Sequence, residues 1–375
     1  MRIPTKVSYF VTGSATLALL AGCSGGGSGV TAPSTSGGAS SQSISRAMPS
    51  AKRFTSHSVL PPSIQLHFKG EAAKSSAKPV FNAALAKNTA ATIAISDSTN
   101  NVVDVYSPTG SLVSTLTGPA PGFSEPQGMT SDINGDLFVA DTANSRIVRY
   151  AAGLKGTPTT VSDPGQYPVG VDSFSNGKWL AVTNIISTSD GPGSVSIYKD
   201  GALQNTISSP NLAEAFFCGF DATGNLFVTG FDANFLASVG EIANATSGGT
   251  TYTELSTSNE LEFPGDVQVT TTGSIAVDDQ LGLAIYSYNP PSGSSLGAPV
   301  QTTQLSDSGD PVGFAFTSDM TDLYTADYSL SSSLEFAYPA GGAPVSSFAV
   351  AGGNNGPAGP NGIAVIPTQY PKVNK

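Results

Sequence analysis

From Ala91 onward the chain is written in short apolar runs broken by polar turns. ATIAISD (91–97), GDLFVAD (135–141), KWLAVTN (178–184), NLFVTG (225–230), SIAVDD (274–279) and DLYTAD (322–327) are rich in β-branched and aromatic residues. Gly or Asp-rich points precede most of them, at Gly135, Gly177, Gly224 and Gly273. Runs of this length bounded by turn residues predict β-strands.

The runs repeat as a unit. An opening strand begins at Pro126 (PQGMTSD), Pro168 (PVGVDSF), Ala215 (AFFCGFD), Pro264 (PGDVQVT), Pro311 (PVGFAFT) and Pro360 (PNGIAVIP), at spacings of 42, 47, 49, 47 and 49 residues. A second, a third and a fourth strand follow in each complete unit, and a period of this size indicates a radial or solenoid repeat. The segment from Ala91 to Gly118 lacks the opening strand, and the unit at Pro360 holds only that strand. The two fragments complement each other, so Gly362 to Ile366 is expected to complete the blade begun at Ala91 and leave no free edge. The expected fold is all-β: a six-bladed β-propeller spanning residues 90–370, with a tail at 371–375.

The repeat resembles the NHL-repeat propellers. Asp141-Thr-Ala-Asn144-Ser-Arg146-Ile147 follows their Asp-x-x-Asn-x-Arg-Ile pattern, and Tyr150 falls nine residues after the Asp. Asp97, Val103 and Tyr106, and again Asp279, Ile285 and Tyr288, keep the same spacing. These are fold residues: the Asp accepts turn N–H groups, the apolar residue packs between blades, and the Tyr buries its ring. Thr183 and Gly230 stand where two further units should have the Asp.

The first ninety residues read differently. Arg2 and Lys6 precede an apolar stretch from Val7 to Ala21, too short to span a membrane, which predicts a secretory signal over residues 1–22. Leu20-Ala21-Gly22-Cys23 resembles the lipobox of bacterial lipoproteins, which implies lipidation at Cys23, with its palmitate and membrane attachment. Ser24 differs from the aspartate used for inner-membrane retention in enteric bacteria, so the expected location is the cell envelope, at the outer membrane or the outer face of the cell membrane. Residues 23–89 follow as a Ser-, Gly- and Ala-rich basic tether with no strand or helix period, apart from Ile64 to Phe68.

Charge divides at the same place. Residues 1–90 hold nine Lys and Arg against Glu71 alone, whereas 91–375 carry a net charge of −19. The acidic body repels phosphate backbones, which argues against nucleic acid as a partner, and the basic tether favours an anionic membrane surface. Cys218 is the one cysteine besides Cys23, so no internal disulfide is expected once Cys23 is acylated.

Candidate chemistry is sparse. Both histidines, His57 and His67, precede the propeller, so the domain has no His for a Ser-His-Asp triad, a His base or a His-rich zinc site. Cys218, flanked by Phe216, Phe217 and Phe220, reads as a buried structural thiol. Trp179, in the second strand of its unit, reads as core rather than a sugar platform. The Asn244-Ala-Thr sequon has little meaning in a bacterial lipoprotein.

The chain is also similar to the gluconolactonase-like propellers, whose divalent metal is held from blade-start positions that include a Pro-Asn-Gly motif, matched here at Asn361. That resemblance implies Gln127, Asp266 and Asn361 as candidate channel ligands, with Ca2+ as a possible cation and a metal-dependent lactonase as the alternative activity. The preferred expectation is a non-enzymatic propeller, with no cofactor, that binds a protein or small-molecule ligand at one face. Segments from Asn184 to Ser194 and from Asn289 to Pro299, rich in Ser, Gly and Pro, are candidate recognition loops.

Overall fold

The computed structural model describes residues 91–367. The leader, Cys23, the tether with its Ile64 to Phe68 stretch, both histidines and the 371–375 tail lie outside the described residues. Within them the strands form six sheets, antiparallel but for one added strand, so the expected six blades are present.

Blade 1 is Thr92–Asp97, Val102–Tyr106 and Leu112–Leu116, with Pro360–Ile366 as its innermost strand. The closing strand pairs Thr92 with Ile366, Ala94 with Ala364 and Asp97 with Pro360, as the complementary fragments predict. Blade 2 comprises Pro126–Ser131, Leu137–Asp141, Arg146–Tyr150 and Thr159–Ser162. Blade 3 is Gln166–Phe174, Trp179–Ser187, Ser194–Lys199 and Ala202–Ser208, and blade 4 is Glu214–Phe220, Leu226–Phe231, Ala237–Ile242 and Tyr252–Thr257. Blade 5 is Pro264–Val269, Ile275–Asp279, Ala284–Tyr288 and Gln301–Gln304, and blade 6 is Pro311–Phe316, Asp322–Asp327, Ser332–Ala337 and Ser346–Ala349. Each innermost strand packs against the innermost strands of the blades before and after it, which closes the ring.

Apolar residues of neighbouring blades interlock to form the core. Ala181, Val195 and Ile197 of blade 3 pack with Cys218, Phe220, Leu226 and Val228 of blade 4, so Cys218 is the buried thiol its flanking phenylalanines suggest. Its Sγ lies 3.6 Å from the Ala181 carbonyl oxygen. Trp179 sits at the rim of that cluster, partly exposed, with the Lys199 ammonium 4.9 Å from its ring centroid.

The spaced Asp residues act as clamps. The Asp97 carboxylate accepts N–H bonds from Thr99 and Asn100 in the following turn and from Gly359 in the segment entering its blade. Asp141 accepts from Ser124, Asn144 and Arg146, Asp279 from Glu262, Phe263 and Gly282, and Asp327 from Gly309, Asp310 and Leu330. Each clamp thus fixes where the innermost strand of its own blade begins. The tyrosines make a second set of ties: Tyr150 Oη accepts from Gly118 N–H at 3.1 Å, Tyr106 Oη accepts from Ala351 N–H at 2.7 Å, and Tyr288 donates to Asn259 Oδ1 at 2.7 Å. All three partners belong to connections arriving from the preceding blade.

Two local expectations change. In blade 3 the residue opposite Pro168 is Asn184, not Thr183, because the hairpin joining its first two strands is one residue longer than those of blades 2, 4 and 5. Gly230 does occupy the Asp position of blade 4, opposite Ala215, where an added Cβ would run into the Glu214 carbonyl. The two candidate loops are also shorter and more structural than their composition suggests. Asn184 to Ser187 prolong a strand, and Ser295–Gly297 pairs in parallel with Ser256 and Thr257, giving blade 4 a fifth strand. Strand alternation puts these two segments on opposite faces of the ring, so they do not form one recognition surface.

Candidate functional site

The innermost strands of a propeller line its axis. Aligned on the repeat starts Pro126, Pro168, Ala215, Pro264, Pro311 and Pro360, they place Gly128, Gly170, Phe217, Asp266, Gly313 and Gly362 at the third position. Four of the six are glycine, and the structure gives the reason. A Cβ on Gly128 would lie 2.6 Å from the Val169 carbonyl oxygen, one on Gly170 2.6 Å from that of Phe216, and one on Gly313 2.7 Å from that of Asn361. A Cβ on Gly362 would overlap the Gln127 carbonyl. The strands therefore approach backbone to backbone, which only Gly permits.

Hydroxyls lock the same seam. Ser96 donates to the Gln127 carbonyl at 2.6 Å, Thr183 to that of Phe216 at 2.7 Å and Thr229 to that of Gly265 at 2.7 Å, each reaching the next blade. The axis is consequently almost closed. On it lies a cavity of about 10 Å³ lined by Gly128, Val171, Cys218, Asp266, Gly313 and Ile363 among others, room for a single water.

Asp266 lines this cavity. Its Oδ1 accepts from Val267 N–H at 2.8 Å, and burial, partly offset by that bond, raises its pKa to about 7. Gln127 and Asn361 stand one register position earlier, on adjacent innermost strands of blades 2 and 1, and neither is among the cavity-lining residues. They are 2% and 0% exposed, and Gln127 Oε1 and Asn361 Oδ1 have no hydrogen-bond partner. Asn361 Nδ2 donates to Ser98 Oγ at 2.6 Å. The strand carrying Asp266 is three places around the ring from that carrying Gln127, across the axis. Of the three, the structure brings Gln127 and Asn361 close and sets Asp266 opposite. Among the described residues no three His, Cys, Asp or Glu side chains are arranged to hold a metal ion.

Valine and phenylalanine fill three of the four other places in the register position shared by Gln127 and Asn361, and Gly265 the fourth. Val169, Phe216 and Val312 meet in one cluster with Phe231 and Phe263, whose rings stand edge to face with Phe216 at 5.5 and 5.7 Å. This plug closes the axis at the end where the innermost strands begin.

Three further acids escaped the sequence reading. Asp278 is fully buried beside Gly265, both of its carboxyl oxygens lack partners, and desolvation followed by the charges of Asp279, Asp266, Asp310 and Asp327 pushes its pKa well up. Glu214 and Asp310 are pushed up to about 7, chiefly by burial. The signal for Asp278 was present: Ser96, Thr183 and Thr229 show that its position calls for a small donor, not an acid.

Residues 123–150 match the NHL repeat, the stretch that holds the Asp141 pattern. No curated protein matches the chain. Among solved structures, a chain of the nidogen/laminin complex is similar over 74% of this chain and 99% of its own, with a TM-score of 0.59 and 15% identity. A protein of unknown function from Bacteroides caccae matches over 74% and 98% (TM-score 0.53, 12% identity). Virginiamycin B lyase from Staphylococcus aureus matches over 74% and 89% (TM-score 0.50, 13% identity). At these identities the likeness establishes the fold and leaves function to the site.

Proposed function

We propose that this chain is an exported lipoprotein whose propeller acts as a non-enzymatic ligand- or protein-binding module, held at the cell envelope by a lipid on Cys23. The observation that carries the reading is the closed axis. With four glycines drawing the innermost strands together and Phe216 and Val312 in the plug, a channel with room for one water admits no substrate. Binding is then left to the faces, where the connecting segments lie. The nidogen/laminin complex gives a precedent for a propeller of this shape in a protein–protein assembly. The acidic surface makes nucleic acid an unsuitable partner.

A divalent-metal lactonase, with Ca2+ held by Gln127, Asp266 and Asn361, is the second reading. It is favoured by the unpartnered Gln127 Oε1 and Asn361 Oδ1, which are the kind of oxygen Ca2+ accepts. Elemental analysis of purified protein and lactone hydrolysis with and without chelator separate the two. Stoichiometric metal with chelator-sensitive turnover would overturn the binding-module reading. The anchor has its own test: Cys23→Ser should move the protein from the membrane to the soluble fraction with its melting temperature unchanged, and equal fractionation would refute it.

A further inference from the structure

In three blades the clamp also fixes the residue just before the start of the repeat. In blades 5, 6 and 1 that residue gives its N–H to the clamp's Oδ1: Phe263 to Asp279 at 3.0 Å, Asp310 to Asp327 at 3.2 Å and Gly359 to Asp97 at 3.0 Å. The equivalent residues in blades 2, 3 and 4 are Glu125, Tyr167 and Glu214. Around the mouth of the axis the order is therefore Glu125, Tyr167, Glu214, Phe263, Asp310, Gly359. Every second blade supplies an acid, and aromatic residues stand between. Beside Gly359 a Cβ would come within 2.9 Å of the Tyr328 ring, so a third aromatic side chain takes that place.

This ring sits over the Val169, Phe216 and Val312 plug, against which Tyr167 and Tyr328 also pack. Gln127 and Asn361 share the register of those three plug residues, which places their unpartnered carbonyl oxygens under the same mouth. Glu214 Oε2 is buried without a partner as well. The unpartnered oxygens of Gln127, Asn361 and Glu214 are all acceptors, no Lys or Arg belongs to the ring, and the domain around it is strongly acidic. A ligand that completes such a site brings a donor, a positive charge and apolar surface.

We propose that the mouth ring formed by Glu125, Tyr167, Glu214, Phe263, Asp310 and Tyr328 binds a protonated amine that carries an apolar or aromatic body. The ammonium sits between Glu214 and Asp310, and the body lies on the aromatic residues. The proposal rests on the binding-module reading and names the chemistry of its ligand.

The test is calorimetric titration of the full-length protein with 2-phenylethylamine, using 2-phenylethanol as the uncharged probe of the same shape. Saturable binding of the amine at least tenfold tighter than the alcohol is expected. Because Glu214 and Asp310 titrate near 7, ionisation of one of them on binding makes the affinity rise about tenfold between pH 6 and pH 8. Glu214→Gln and Asp310→Asn should each weaken the amine severalfold, whereas Asp200→Asn, in a turn on the opposite face, should leave it unchanged. Melting curves of all three variants report their folding, and either ring substitution alone suffices for the comparison. Absent binding, equal binding of the alcohol, or affinity untouched by both ring substitutions would overturn the proposal. Those outcomes leave the binding-module reading standing, since only metal-dependent turnover removes that.

Discussion

Asp278→Asn should make the propeller more stable at pH 8 and progressively less so as the pH falls to 5. The side chain is fully buried, neither oxygen has a partner, and four other carboxyl groups raise the cost of ionising it. A folded-state pKa raised above the ordinary carboxylate value of 3.8 means that the folded protein keeps a proton the unfolded chain has released. The associated stability is therefore complete below pH ~4 and is lost as pH rises from there through the folded pKa. An unpaired buried carboxyl costs on the order of 2–4 kcal/mol under ionising conditions. An amide of the same shape carries no charge to desolvate, and its N–H can do what the Thr229 hydroxyl does for the Gly265 carbonyl at 2.7 Å. The gain at pH 8 corresponds to about 4–8 °C in melting temperature for a domain of this size. At pH 5, little more than one unit above the unfolded value, it should shrink to about 1.5 kcal/mol. Thermal melts of parent and variant from pH 5 to pH 9 measure it. An Asn variant less stable than the parent at pH 8, or a difference that does not change with pH, would refute the reasoning, because either result means that the carboxylate is ionised and has a cationic partner.

Two other perturbations address the ring. Deleting residues from Pro360 onward removes the strand paired with Thr92–Asp97 and bares two edges, so it should cost several kcal/mol and cause aggregation, read by melting and light scattering. An unchanged melting temperature would mean that the strand does not close the ring. Gly362→Ala sets a Cβ against the Gln127 carbonyl and 2.8 Å from Gly128 Cα, both backbone atoms, and should cost about 1–3 kcal/mol by chemical denaturation. A neutral result would show that the innermost strands can move apart.

The propeller was legible in the sequence because its working parts recur at fixed spacing. Asp97, Asp141, Asp279 and Asp327 recur because each must reach both a turn and the segment entering its blade, and the tyrosines recur because each must reach the preceding connection. Where the spacing failed, one extra residue in a hairpin or a distant pairing was the cause. A first hairpin one residue longer than in blades 2, 4 and 5 moves the clamp position of blade 3 from Thr183 to Asn184. Ser295–Gly297 joins blade 4 through a parallel pairing nearly forty residues away, invisible to any local pattern.

The candidate site was harder to read because side chains in a strand alternate, so one residue decides between two environments. Taking the second residue of each innermost strand selected Gln127 and Asn361 but Gly265, whereas Asp266 belongs with Gly128 and Gly362 in the register that faces the cavity. The same alternation separates Asp278 from Asp279. One turns into the blade interface without a partner, and the other holds Glu262, Phe263 and Gly282 by their N–H groups. Composition counts the two as equal acids, yet the clamp at Asp279 places the mouth ring and the unpartnered Asp278 penalises the interface beside it. In this propeller the acids that build the mouth and those that strain it are therefore neighbours in sequence, and only the register tells them apart.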